Sequence, residues 1–158
     1  MTQQDKELLL EDLCARLLYG VNGLAYIVGE PCNTNTNIVG IINKSIVTNY
    51  EPPMPSLIDL DSKYITIKPY LRPMSSMTKK ETKELFKEIG FEFTCNTWGF
   101  PAHYNYEFAK QIKGIPTITN VEFVKMIDWL NAHHFDYRGL IEKGLAIRVT
   151  EENNPYKE

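Results

Sequence analysis

A chain of 158 residues, 43% of them hydrophobic, can bury one sizeable core and is short for two full domains, so one compact domain over 1–158 is expected. Seventeen basic against twenty acidic residues leave a formal charge of -3, which excludes a global field drawing the chain to nucleic acid or an anionic membrane. The three cysteines, Cys14, Cys32 and Cys95, are odd in number and contain no C-x-x-C pair, which argues against a disulfide framework or zinc ribbon and for a reducing compartment.

The opening MTQQDKELLLEDL is charged and has no apolar leader segment, and no later stretch offers roughly 18 uninterrupted apolar residues. A soluble, cytoplasmic protein is expected. Leu9, Leu13 and Leu17, with Leu10 and Cys14 beside them, recur at helical spacing. They predict an amphipathic helix over 3–18, capped by Thr2, ended by Gly20 and packed through its leucines, with Cys14 in the core.

After Gly20 the residues become β-branched and glycine-punctuated: GLAYIVG and NIVGIINKSIVTNY read as strands, joined by PCNTNTN as a loop. EPPMPS, 51–56, reads as an extended connector. LIDL and KYITIKPYL follow as strands, with Tyr64, Thr66 and Lys68 alternating against Ile65 and Ile67, before Pro69 and Pro73 end the strand region. Four or five such strands make a small antiparallel sheet or a partly open SH3-like barrel.

Thr78 with Glu81 is a capping box for a helix running to Ile89 and stopped by Gly90. FEFTCNTWGFPAHYNYEF, 91–108, is an aromatic-rich segment that covers the core or offers a contact surface. Thr119 with Glu122 caps the next helix, whose apolar face is Phe123, Ile127 and Leu130. Asp136 is expected to cap a short helix through Lys143, Gly144 to end it, and Leu145, Ile147 and Val149 to form a closing strand. The fold class is therefore α+β: an N-terminal helix, a small sheet, and a helical C-terminal part with a closing strand. Lobes over 1–73 and 74–150 and a frayed tail over 151–158 subdivide it.

Chemistry-bearing residues concentrate in AHHFDYRGLI, 132–141, which gathers two histidines, an aspartate, a tyrosine and an arginine. Adjacent histidines on a helix diverge by about 100°, so His133 and His134 are not expected to share a metal, and no metal or cofactor is expected. An enzyme would need His103, His134, Asp136 and Cys95 to converge in one pocket. No G-x-S-x-G, H-E-x-x-H or P-loop string occurs. The helix–turn–helix–strand order over 120–149 has the outline of part of a winged helix, with Arg138 and Lys143 as its basic contacts.

The strings KPYLRPMSSMT, 68–78, and HFDYRGLIEKGLAI, 134–147, with ELLLEDLCARLLYGV, 7–21, resemble the signature stretches of a family of small uncharacterised proteins from Bacteroidota and their phages and mobile elements. The resemblance implies a helix, a small sheet, a proline-bracketed connector and a helical C-terminal part, and carries no activity. Residues 29–62 and 91–118 stand outside it as insertions. The expected function is a non-enzymatic, protein-binding accessory or adaptor protein using Trp98, Phe100, Tyr104, Tyr106, Tyr137 and Arg138. The alternatives are a nucleic-acid binder using Lys79, Lys80, Lys83, Arg138 and Lys143, and a small His/Asp/Cys enzyme.

Overall fold

The computed structural model describes residues 1–29, 33–49, 57–90 and 119–157. The fold is α+β. Helix α1 spans Gln3–Arg16 and continues as a 3-10 turn to Tyr19, where Gly20 at φ 71° reverses the chain. Thr2 and Asp5 make a reciprocal capping box, so the free N–H groups of the first turn are satisfied within three residues. Strands β1 (Val21–Ile27), β2 (Asn33–Ile42), β3 (Ser45–Thr48), β4 (Leu57–Asp59) and β5 (Ile65–Pro73) follow. Then come α2 (Lys79–Glu88), α3 (Asn120–Ala132), β6 (Phe135–Asp136) and β7 (Ile147–Arg148).

These strands form an open mixed sheet rather than a barrel. Its order is β4-β3-β2-β1-β5-β6, antiparallel from β4 to β5, with β6 and β7 both parallel to the remaining edge of β5. Leu9 and Leu13 of α1 pack on Val21, Ala25, Ile38, Ile46, Ile58, Ile67 and Leu71 of the sheet. Leu140, Leu145 and Ala146 close that core from the C-terminal part.

Three local expectations are corrected. The Asn-Thr run is not a loop: Asn33–Asn37 belong to β2 and pair with β1, with Asn33, Asn35 and Asn37 exposed and Thr36 buried. The period of two holds there, but it is written in polar residues. Pro69 does not end its strand. It lies opposite Gly23 within β5, and pairing on the far edge of β5 begins one residue later at Tyr70, so its missing N–H costs no bond on that edge. No helix forms over 137–143. Gly139 has a φ of 75°, and Asp136 takes the Leu140 and Ile141 N–H groups at 2.9 and 2.8 Å, leaving a run of turns. The winged-helix outline therefore lacks its second helix.

Gly23 is required by close approach. A Cβ there would stand 3.1 Å from Ile38 Cδ1, 3.2 Å from Lys68 O and 3.3 Å from Ile67 Cγ1. The carbonyl belongs to the neighbouring strand and cannot give without disturbing the ladder. Gly23→Ala is expected to destabilise by about 1–3 kcal/mol in urea unfolding, as overpacking does. A gain in stability, as reduced unfolded-state entropy alone would cause, would refute the contact argument.

Candidate functional site

The α1 residues that face inward are Leu9, Asp12, Leu13 and Arg16, a stripe at i, i+3, i+4 and i+7 that includes an acid and a base. Cys14 lies about 100° from Leu13 and is exposed rather than core. Asp12 and Arg16 are both fully buried and form a bidentate pair, Nε to Oδ2 at 2.7 Å and Nη2 to Oδ1 at 3.0 Å. The same Nη2 donates to Phe135 O at 2.7 Å, tying the first helix to β6. Arg16 Nη1 is buried with no hydrogen-bond partner.

Above this pair, α3 ends at the two histidines. Trp129 O accepts from the His133 backbone N–H, and the His133 ring Nδ1 stands 2.9 Å from it. A carbonyl can only accept, so Nδ1 carries the proton, and in the neutral ring Nε2 is the acceptor. The His133 ring stacks on Trp129 at 3.8 Å. His134 takes a left-handed backbone at φ 58°, which stops the helix, and its carbonyl receives the Arg72 N–H at 2.8 Å as the chain joins the edge of β5. The histidines thus occupy the helix cap and the residue beyond it, and the helical 100° divergence does not govern them.

The His134 ring is 6% exposed and stacks on Tyr156 at 3.8 Å and 10°. Its Nδ1 is buried and unpartnered. Burial, reinforced by the positive charges of Arg16, His133 and Arg72, pulls its pKa from 6.5 down to about 4, so the ring is neutral at pH 7. The Tyr156 hydroxyl donates to Tyr70 O at 2.9 Å and accepts from the Asn22 N–H at 3.2 Å, bridging β1 and β5. Burial pushes that phenol up to about 12. The tail is therefore docked through Tyr156, where a frayed end was expected.

Arg72 completes the ring of contacts. Its guanidinium lies 4.3 Å from the centre of the Phe135 ring and grips Glu81 by both oxygens at 2.7 and 3.1 Å. Burial favours protonation of Glu81, but hydrogen bonds from Arg72 and from Thr78 at the α2 cap prevail and hold the carboxyl down to about 2. Arg72, Ala132, His133, His134, Asn154 and Tyr156 line an open cleft of about 510 Å³.

Tyr137 and Arg138 are half-buried and tied inward: the Tyr137 hydroxyl donates to Asn131, Arg138 Nη1 is 3.3 Å from Glu11, and Arg138 Nε is 3.6 Å from Asp12. Lys79, Lys80 and Lys83 are exposed on α2, where Lys80 is 3.7 Å from Glu84. Lys143 acts electrostatically on Asp5 at the start of α1, and Arg138 contacts acids of that same helix, so neither extends the α2 lysines into one array. Trp98, Phe100, Tyr104, Tyr106, Cys95 and His103 lie outside the described residues. His134 and Asp136 are both buried, but both Asp136 oxygens hold backbone N–H groups, so the two do not act as an acid–base dyad.

Asp12, Arg16, Arg72 and Tyr156 were missed. One signal was available: Asp12 and Arg16 are four apart on the same face as Leu9 and Leu13, and charges within a leucine stripe point to a buried pair. No family model, curated protein or solved structure matches the chain. Among the described residues, no helix is long and apolar enough to cross a membrane, and no group of three or more His, Cys, Asp or Glu side chains could hold a metal ion.

Proposed function

We propose that the protein is a non-enzymatic accessory or adaptor module that acts by docking another protein. The observation that carries this reading is the first turn of α3, where Val121, Phe123 and Val124 are 67%, 48% and 57% exposed. Of the expected apolar face, Leu130 is buried, with Asn131 beside it, whereas Phe123 is left exposed. Val121 and Val124 share one side of this helix end, with Phe123 about 100° round from Val124, and large apolar side chains left open in this way are of the kind that partners cover. The charged cluster points the same way, since Asp12, Glu81 and Asp136 are each held by internal donors.

The reading includes the expected contacts Trp98, Phe100, Tyr104 and Tyr106. A phage or mobile-element origin rests on the resemblance of the quoted strings alone. The test is affinity capture with Val121→Glu/Val124→Glu, substitutions at exposed helix positions that glutamate tolerates. Proteins held stoichiometrically by the native chain should fall about tenfold or more in recovery, while the unfolding midpoint moves by only a few degrees. Equal recovery with both chains would overturn the reading.

A further inference from the structure

We propose that residues 150–157 form a releasable strap, pinned by the Tyr156 hydroxyl in a gap of the β1–β5 ladder, whose release opens the cleft beside α3 while the sheet stays folded. This goes beyond protein docking and does not depend on it.

The gap follows from the register. Antiparallel strands alternate between pairs that exchange two hydrogen bonds and pairs that exchange none. Pro69 has no N–H, so its pairing with Gly23 is of the second kind, and the next pair along, Asn22 with Tyr70, is due to be of the first. The two strands part there instead, their pairing ending at Gly23 and Pro69. The Tyr156 hydroxyl takes that rung, accepting from the Asn22 N–H at 3.2 Å and donating to Tyr70 O at 2.9 Å. A phenol suits the position because it both accepts and donates. When it leaves, the register already sets Asn22 opposite Tyr70, so the ladder closes by one rung and neither backbone group is left unmade. Release then costs the burial of the phenol and its stacking on His134, and leaves the sheet whole.

The segment can move as one piece. Val149 still belongs to the sheet, through its N–H to Leu71 O at 2.8 Å. Beyond it the chain bonds to itself: the Thr150 N–H to Asn153 Oδ1 at 2.6 Å, Asn153 Nδ2 to Arg148 O at 3.1 Å, the Tyr156 N–H to Asn154 Oδ1 at 2.9 Å, and Lys157 Nζ to Glu151 O at 2.8 Å. Among the described residues, Tyr156 alone carries hydrogen bonds from this segment to residues before Arg148. Glu151, Glu152, Asn153 and Lys157 are exposed. Such a unit, self-bonded and attached at one point, opens at less cost than the fold as a whole.

The strap also closes something. Asn154 and Tyr156 are its share of the lining of the cleft of about 510 Å³, the rest coming from Arg72 and the end of α3. Its departure removes that share and uncovers the stacked face of the His134 ring.

The experiment is NMR on the full ¹³C,¹⁵N-labelled chain in a urea series, with hydrogen exchange of the Asn22 amide read at each step. The His134 and Tyr156 ring signals are expected to leave their stacked positions at urea concentrations where the methyls of Leu13 and Leu71, both fully buried, are still native. The Asn22 amide should stay protected there, because Tyr70 O has taken it over. Loss of all four side-chain signals in a single transition would overturn the strap. Exchange at Asn22 that speeds up by more than about tenfold as the ring signals move would overturn the closing rung. Tyr156→Phe keeps the stacking ring and removes only the hydroxyl, so it should raise the released fraction about tenfold while Asn22 keeps its protection. An unchanged fraction would show that the hydroxyl is not the pin and would sink the proposal. If that variant fails to fold, the urea series on the native chain decides.

Discussion

Asp12→Asn is expected to destabilise the protein by about 3–5 kcal/mol, because it leaves the Arg16 charge fully buried without its counter-charge. Arg16→Met should cost a comparable amount, since Asp12 would keep only Arg138 at 3.6 Å and Phe135 O would lose its donor. Against the 5–15 kcal/mol that holds a typical domain folded, either change approaches global unfolding. The double variant Asp12→Leu/Arg16→Met removes both charges and should lose much less than the sum of the two singles. Urea unfolding of the four chains measures the coupling. Single losses under about 1 kcal/mol would mean that water reaches the pair and that its burial is not as found.

Acidification should destabilise the fold through His134. Its pKa is 6.5 in the open chain and about 4 in the fold, so above pH 6.5 both states are neutral and the fold is unaffected. As pH falls through 6.5 the unfolded chain takes up a proton that the folded chain refuses, and stability drops until about pH 4, where both states are protonated. The shift corresponds to about 3 kcal/mol over that window. The structural reason is first that a charged ring would be stripped of water by burial against Tyr156, and then that the positive charges of Arg16 and Arg72 act on it. The check compares urea midpoints for the native chain and His134→Asn at pH 7, 6, 5 and 4; the difference isolates this group from the other histidines and from Glu81, whose loss belongs below pH 4.5. Parallel curves for the two chains would rule the mechanism out.

The two effects meet in one place, the joint between α3 and β6, where the first helix, the centre of the sheet and the C-terminal tail are bonded together. The stretch AHHFDYRGLI is thus the seam of the fold. Its Asp136 caps a turn rather than a helix, its Tyr137 and Arg138 face α1 rather than open solvent, and its His134 opens onto the cleft.

Sequence by itself determined what is decided within about four residues. Thr2 with Asp5, Thr78 with Glu81 and Thr119 with Glu122 form capping boxes, and the latter two were legible as such. Gly20 and Gly90 stop their helices in the left-handed region, and Ile65 and Ile67 face inward against exposed Thr66. Each of these follows from a side chain meeting its own backbone or from the local period. Only the tertiary structure decided that Asn33–Asn37 form a strand, because β1 supplies the ladder, and that β5 runs through Pro69, because no partner needs its N–H on the far edge there. It alone placed Arg16 against Phe135, 119 residues away, and Tyr156 between Asn22 and Tyr70. Burial and charge pairing over such separations depend on which segments are brought together, and no local pattern encodes that.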